Sequence, residues 1–223
     1  MAEALRQARQ PRGRAGAGAW QWTRTAETQR VLLDAAREVF TERGFSSASI
    51  TDIVERAGSS VGSLYHHFGG KGELFVALWQ EHSHAQAEAA GKAVAQAKRA
   101  GVTDPCELFS VGAKAYLEGA WQRRDLVLLF AAGDTPPGFS EVTRQRGHEW
   151  LSQNEALLGL ADTPGDRLYT TILTSLTAEG AREVAAAKSR RQATRTVSAV
   201  LEYVRRLMAG GPWQPAATVE PVA

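Results

Sequence analysis

Cysteine is almost missing from this 223-residue chain. The lone Cys106 excludes an intrachain disulfide framework and suits a reducing compartment. Long apolar runs are missing as well. The longest, Leu126 to Ala132, falls far short of the ~18 residues that suggest a membrane span. Arg6, Arg9, Arg12 and Arg14 are followed by no apolar stretch, so no secretory leader is expected. Neither sign of charge dominates: 26 Lys and Arg face 24 Asp and Glu, a net charge of +2. That balance excludes a protein held on nucleic acid by bulk charge but leaves room for a local basic surface. Nucleotide-binding and hydrolase motifs (GxxxxGK[ST], HExxH, GxSxG) are absent, and the Gly13, Gly16, Gly18 cluster has no strand before it. His82 and His84 do not share a helix face, nor do His66 and His67, and no carboxylate or thiol completes a ligand set. A cytoplasmic, non-enzymatic protein is expected, with no cofactor, no metal and no membrane contact.

Proline punctuates what is present. The eight stand at Pro11, Pro105, Pro136, Pro137, Pro164, Pro212, Pro215 and Pro221. A proline inside a helix costs ~3 kcal/mol, so the long gaps between these positions allow long helices. Ala, Glu, Arg, Leu and Gln fill the gaps, and no alternation of period two persists. The fold class expected is all-α. Residues 1–22 are expected to be a flexible basic arm, 23–71 a DNA-binding head, 72–209 a larger helical domain and 210–223 a disordered tail.

The head follows from spacing. Leu32, Ala35, Ala36, Val39 and Phe40 make one buried stripe of a helix from about Thr25 to Arg43, ended by Gly44. Ser49-Ile50-Thr51-Asp52 has the form of a capping box opening a short helix that stops at Gly58. A third helix begins near Ser60, with Leu64 and Phe68 inward, and Lys71 opens a long fourth. Two short helices joined by a glycine-containing turn, behind a longer supporting helix, form the helix-turn-helix pattern. At about 100° per residue, the face opposite Leu64 and Phe68 offers Gly62 and His66, flanked by Ser59, Ser63 and Tyr65. Such small polar groups suit close approach to a major groove; a helical hairpin with a solvated face is the alternative.

The stretch Thr28–Leu74 resembles the N-terminal DNA-binding domain of TetR-family transcriptional repressors. The match rests on Ala35-Ala36, Phe40, Gly44, Ile53, Ala57-Gly58, Leu64-Tyr65, His67-Phe68 and Lys71, in register without a gap. The resemblance implies DNA contacts at Ser49 and Thr51, at Ser59, Ser60, Val61, Gly62, Ser63, Tyr65, His66 and His67, and at Lys71. It further implies a twofold homodimer on a double-stranded operator and a small-molecule effector in the remaining helices. With Gly62 and small serines on the reading helix, few side chains can make bidentate base contacts, and DNA shape becomes a candidate source of specificity.

Further helices are expected near 71–99, 105–123, 125–132, 138–160, 165–187 and 190–209. Leu168, Ile172, Leu176, Gly180 and Val184 stand four residues apart. Val197, Val200, Leu201, Val204, Leu207 and Met208 form a second stripe. The two stripes face either a second copy of the chain or the chain's own core. The resemblance favours the dimer, with Leu176, Gly180, Val184, Val197, Val200, Leu201, Val204 and Met208 as interface candidates. Phe75, Trp79, Phe109, Tyr116, Trp121, Phe130, Trp150, Tyr169 and Leu173 are candidates to line a ligand cavity, with Thr174 and Gln153 as polar neighbours. Control by a protein partner, or a helical enzyme without a recognisable motif, are the competing readings.

Overall fold

The computed structural model describes residues 15–211, with side chains from residue 25. Nine helices and no strand occur among the described residues: α1 (Ala15–Ser47), α2 (Ile50–Ala57), α3 (Val61–Phe68), α4 (Lys71–Arg99), α5 (Pro105–Gln122), α6 (Arg124–Ala131), α7 (Phe139–Leu158), α8 (Pro164–Ala185) and α9 (Arg190–Gly210). The all-α expectation holds. Two of the starts carry proline in the first turn, Pro105 and Pro164, where its missing N–H leaves no helical bond unmade. Asp104 and Thr163 cap those same helices, accepting from the amides of Glu107 and Asp166.

One expectation at the chain's ends changes. α1 runs back to Ala15, so residues 15–22, expected as part of a flexible arm, continue the first helix. Residues 1–14 and 212–223, expected as arm and tail, lie outside the described residues.

Two apolar cores form. The first gathers Leu32, Val39 and Phe40 of α1, Ile53, Leu64, Leu74 and Phe75 with Leu126, Leu129 and Phe139. Its centre is aromatic: Phe75 stands edge-on to Phe40, Phe45, Phe130 and Phe139 at 5.2–5.3 Å. The second core joins α5, α8 and α9 through Leu117, Leu173, Val184, Val197, Val200 and Val204. The helix-turn-helix head therefore shares its core with α6 and the start of α7, and α4 runs uninterrupted from one core toward the other.

Candidate DNA-binding and ligand sites

The head is built by caps. Ser49 accepts from the Asp52 amide while Asp52 accepts from the Ser49 amide at 3.1 Å, so the expected capping box is complete with Asp in the third helical position. Gly58 then closes α2 in the left-handed region, φ +58°. Ser60 caps α3 by accepting from the Ser63 amide. Leu64 is fully buried beneath α3 and Phe68 packs against the same core. On the outer face Val61, Gly62, Tyr65 and His66 are exposed, while Ser59, Ser63 and His67 are half-buried. Tyr65 and Val61 stand out as large side chains left 52% and 43% exposed on an eight-residue helix. Thr51 is exposed at the start of α2.

Three of the expected contacts are engaged elsewhere. The Ser49 hydroxyl donates to Asp52 at 2.7 Å and accepts that residue's amide, so both its roles are filled by the cap. Ser60 serves its own cap. Lys71 turns inward: its ammonium donates to the carbonyls of Phe45 and Ala48 at 2.8 Å and of Ser46 at 3.4 Å, and lies 4.5 Å from the Phe45 ring centre. An ammonium has three N–H donors, and these carbonyls at the end of α1 take them, since that turn's peptides lack helical partners. Without DNA, Lys71 is thus a clamp on the α1–α2 connection.

The other cations of the head are paired. Arg30 bridges Glu27 and Asp34, Arg43 meets Asp52 at 2.8 Å, and Arg56 meets Glu42 at 2.7 Å. Arg37 makes a two-pronged pair with Asp125 of α6 at 2.6 and 2.8 Å, half-buried, which ties head to body. Arg37 holds the Asp125 carboxyl below the usual carboxylate range against the opposing effect of its burial.

A second tie runs through residues 132–138, between α6 and α7. Helical backbone breaks at Gly44 (φ +77°, ψ 172°), a combination open essentially to glycine alone. There Asp134 accepts from the Ser46 amide at 3.0 Å and from its hydroxyl, and these bonds hold its carboxyl below the usual range. A Cβ on Gly44 would lie 2.7 Å from Asp134 Oδ2.

The residues on either side of Asp134, Gly133 and Thr135, line a cavity of about 600 Å³ in the body. Its walls include Trp79, Tyr116, Phe130 and Trp150. A second lobe of about 380 Å³ adjoins it among α4, α5, α7 and α8, and Tyr116, Trp150, Thr174 and Ala178 line both. Of the aromatic candidates, Trp79, Phe109, Tyr116, Phe130 and Trp150 line one or both lobes, and so do Thr174 and Gln153. Phe75 does not: it is fully buried in the first core by four neighbouring rings. Leu173 faces inward in the second core, Tyr169 packs on that core's edge, and Trp121 is covered by the Arg124 guanidinium at 4.7 Å. The aromatic criterion missed His82, Gln86, Arg146 and Arg182. His82 is 8% exposed with Nδ1 lacking a hydrogen-bond partner, and burial together with neighbouring Arg123 pushes its pKa down to about 4.

The interface candidates also resolve differently. Gly180, Val184, Val197, Val200, Val204 and Met208 are buried within the protomer, and Leu176 and Leu201 pack against the same core. A Cβ on Gly180 would lie 2.6 Å from Val200 Cγ2. Each four-residue step advances about 40° around a helix, so the stripe that begins at Leu168 rotates from outside to inside before Val184. Its outer part remains uncovered: Leu168 is 61% and Ile172 44% exposed on α8, beside Tyr203 (57%) and Leu207 (40%) on α9.

These features define a helix-turn-helix DNA-binding head on an all-helical body that holds a cavity. Residues 32–78 match the family described as bacterial regulatory proteins, tetR family. Over 61 residues, 27% of this chain and 32% of that protein, the chain is 38% identical to the HTH-type transcriptional repressor AcnR of Corynebacterium efficiens. Over 56 residues, 25% of this chain and 26% of that protein, it is 46% identical to the HTH-type transcriptional activator FasR of Mycolicibacterium smegmatis. The match therefore spans about a third or less of these relatives' length. A TetR-like regulator from Rhodococcus sp. RHA1 shares the fold, with a TM-score of 0.64 at 22% identity over 82% of this chain and 96% of that one. Residues 32–78 are thus similar to the DNA-binding segment of TetR-family regulators, and the fold of the whole described chain is similar to that of TetR-like structures.

Proposed function

We propose that this protein is a transcriptional regulator, most simply a repressor, which binds a palindromic operator as a twofold dimer and leaves it when a small molecule fills the body cavity. The observation that carries the reading is the segment 132–138: Gly133 and Thr135 line the cavity while Asp134, between them, holds Ser46 of the head. A ligand that displaces the cavity wall pulls on the end of α1. α4 gives a second route, since it begins at the Lys71 clamp and lines the cavity from Trp79 onward.

On DNA, α3 enters the major groove with Val61, Gly62, Ser63, Tyr65 and His66 toward the bases and sugar-phosphate edges. Val61 offers apolar contact to a thymine methyl, and His66 and Ser63 offer hydrogen bonds to base edges. The dimer forms through the uncovered apolar residues Leu168, Ile172, Tyr203 and Leu207. Half-sites then lie about one helical turn or a little more apart.

Release requires that the ligand bind the DNA-competent and incompetent forms unequally; a coupling of ~1–3 kcal/mol lowers operator affinity ~5- to 150-fold. Selection of bound DNA from a random pool tests the reading. Recovery of one inverted repeat supports it, and recovery of no preferred sequence refutes it. With that operator in hand, Asp134→Ala is expected to leave ligand binding intact while weakening its effect on DNA. A variant that responds to ligand as fully as the parent chain excludes this route.

A further inference from the structure

The two lobes of the body cavity differ in chemistry. The smaller is walled on one side by Ala87, Ala90, Gly91 and Val94 of α4 with Gly112 and Ala113 of α5, and on the other by α7 and α8 through Trp150, Leu157 and Thr177. The short side chains of α4 and α5 leave a largely apolar slot facing those two helices. The larger lobe carries the charged and titratable groups: His82, Arg146 and Arg182.

Among the described residues neither lobe is lined by a single Asp or Glu, whereas Arg146, Arg182 and, at the far end of the slot, Lys98 are cationic. A cationic ligand would meet no counter-ion there and would lose its hydration uncompensated. An anion would meet guanidinium groups with donors to spare. Arg146 directs Nε to Ser83 at 3.2 Å and Nη1 to Glu149 at 2.5 Å; Arg182 directs Nη1 to Glu179 at 2.5 Å. Both glutamates lie outside the lining of these lobes. Each guanidinium has five N–H donors, so both retain hydrogens for a further acceptor. His82 lines the same lobe, a buried neutral imidazole whose Nδ1 has no hydrogen-bond partner.

We propose that the cavity takes an amphipathic monocarboxylate, its unbranched apolar body in the slot that α4 and α5 wall against α7 and α8, and its carboxylate at Arg146 and Arg182 in the lobe that His82 also lines. The assignment rests on the ligand-responsive reading above and names the chemistry of that ligand.

Isothermal titration calorimetry on the full chain with decanoate, 1-decanol and decylamine separates head-group charge from tail burial. Decanoate should bind at least ~10-fold more tightly than decanol, and decylamine more weakly than either. Arg146→Gln with Arg182→Gln should bring decanoate down to the affinity of decanol and leave decanol unchanged. Arg182 is 58% exposed in its side chain, so Arg182→Gln alone keeps the fold and should show part of the loss. Failure of decanoate to bind, equal binding of decylamine, or undiminished decanoate affinity in the double variant overturns the assignment. The calorimetry involves no DNA. Charge-selective binding without any effect on the operator refutes ligand-driven release alone, and absence of charge selectivity refutes the ligand class alone.

Discussion

Gly180 offers a quantitative test of which surfaces α8 and α9 share. A methyl group added there would sit 2.6 Å from Val200 Cγ2, 2.9 Å from Cγ1 and 3.3 Å from Cβ. Both residues are buried, and Val200 is β-branched on a helix, so its χ1 has one strongly preferred setting and cannot swing away cheaply. Gly180→Ala gains about 1 kcal/mol of helix propensity, because alanine loses less backbone freedom. Overpacking opposes that with about 1–3 kcal/mol. The net expectation is a loss of up to about 2 kcal/mol, contrary to the usual benefit of replacing a helical glycine. Val200→Ala alone should lose about 2 kcal/mol of buried apolar contact. In the double variant the new methyl occupies the space the valine vacates, so the combined loss should fall short of the sum by about 1 kcal/mol or more. Urea unfolding followed by circular dichroism at fixed protein concentration measures all four corners of the cycle. Additivity within about 0.5 kcal/mol would refute close α8–α9 packing. Dissociation of the dimer by Gly180→Ala without loss of protomer stability would return Gly180 to the interface between copies.

His82 predicts an acid-sensitive fold. Its pKa falls from 6.5 to about 4 in the folded chain, through burial first and Arg123 and Arg37 after it, with Asp125 opposing. The unfolded chain therefore takes up a proton first. This contribution to stability is complete above pH ~6.5 and is lost as pH falls toward 4, by up to about 3 kcal/mol. His82→Leu should flatten that part of the urea-midpoint profile, and an unchanged slope between pH 6.5 and 4 would contradict the burial argument. Gly44→Ala should destabilise the head by about 1–3 kcal/mol through backbone strain and crowd Asp134 as well. Operator affinity equal to that of the parent chain would show that the α1 break is not needed for binding. On the reading helix, Tyr65→Phe should weaken binding to all sequences, while Ser63→Ala and His66→Ala should change preference at single base positions by ~1–3 kcal/mol. Normal operator affinity in a triple variant at Ser63, Tyr65 and His66 would remove α3 from the interface.

The head was legible because its signals are local. A serine three residues before Asp52, a glycine at position 58 and apolar residues at helical spacing each act within one turn, and all three appear as read. The starts of α5 and α8 at Pro105 and Pro164 and the ends of α7 and α9 at Gly159 and Gly211 were likewise legible from proline and glycine punctuation. Partner choice was not. Whether Gly180 and Val200 meet each other or a second chain depends on helix azimuth, and a stripe of strict four-residue spacing does not keep one azimuth. The cavity was half legible. Aromatic content led to Trp79 on α4, but the wall continues through His82, Ser83, Gln86, Ala87, Ala90, Gly91 and Val94. These positions repeat at steps of three and four, one face of the helix. Polar residues and alanines on that face were the available signal, because a face that packs a dry core has little use for His82 and Gln86. The inward bonds of Lys71 were illegible for a different reason: they depend on the position of the Phe45, Ser46 and Ala48 carbonyls, which no local spacing reveals.

The pairing of the head's cations bears on how it reads DNA. Affinity for any sequence grows with the number of phosphates neutralised by mobile Lys and Arg. Between residues 25 and 71 each such side chain already has an internal partner: Arg30, Arg37, Arg43 and Arg56 a carboxylate, Lys71 backbone carbonyls. Two of these pairings fasten the head to something else, Arg37 to α6 and Lys71 to the turn between α1 and α2. Using them on phosphates would loosen the frame that aims α3. Between residues 25 and 71 that charge is tied into the scaffold. On the proposed reading, discrimination falls to the short exposed face of Val61, Gly62, Tyr65 and His66 and to the spacing of two such faces. Under that reading the cations of residues 25–71 add little non-specific attraction, and recognition by this part of the head depends on the spacing of the two reading faces. A displacement at Asp134 or along α4 then needs to be only small to release it.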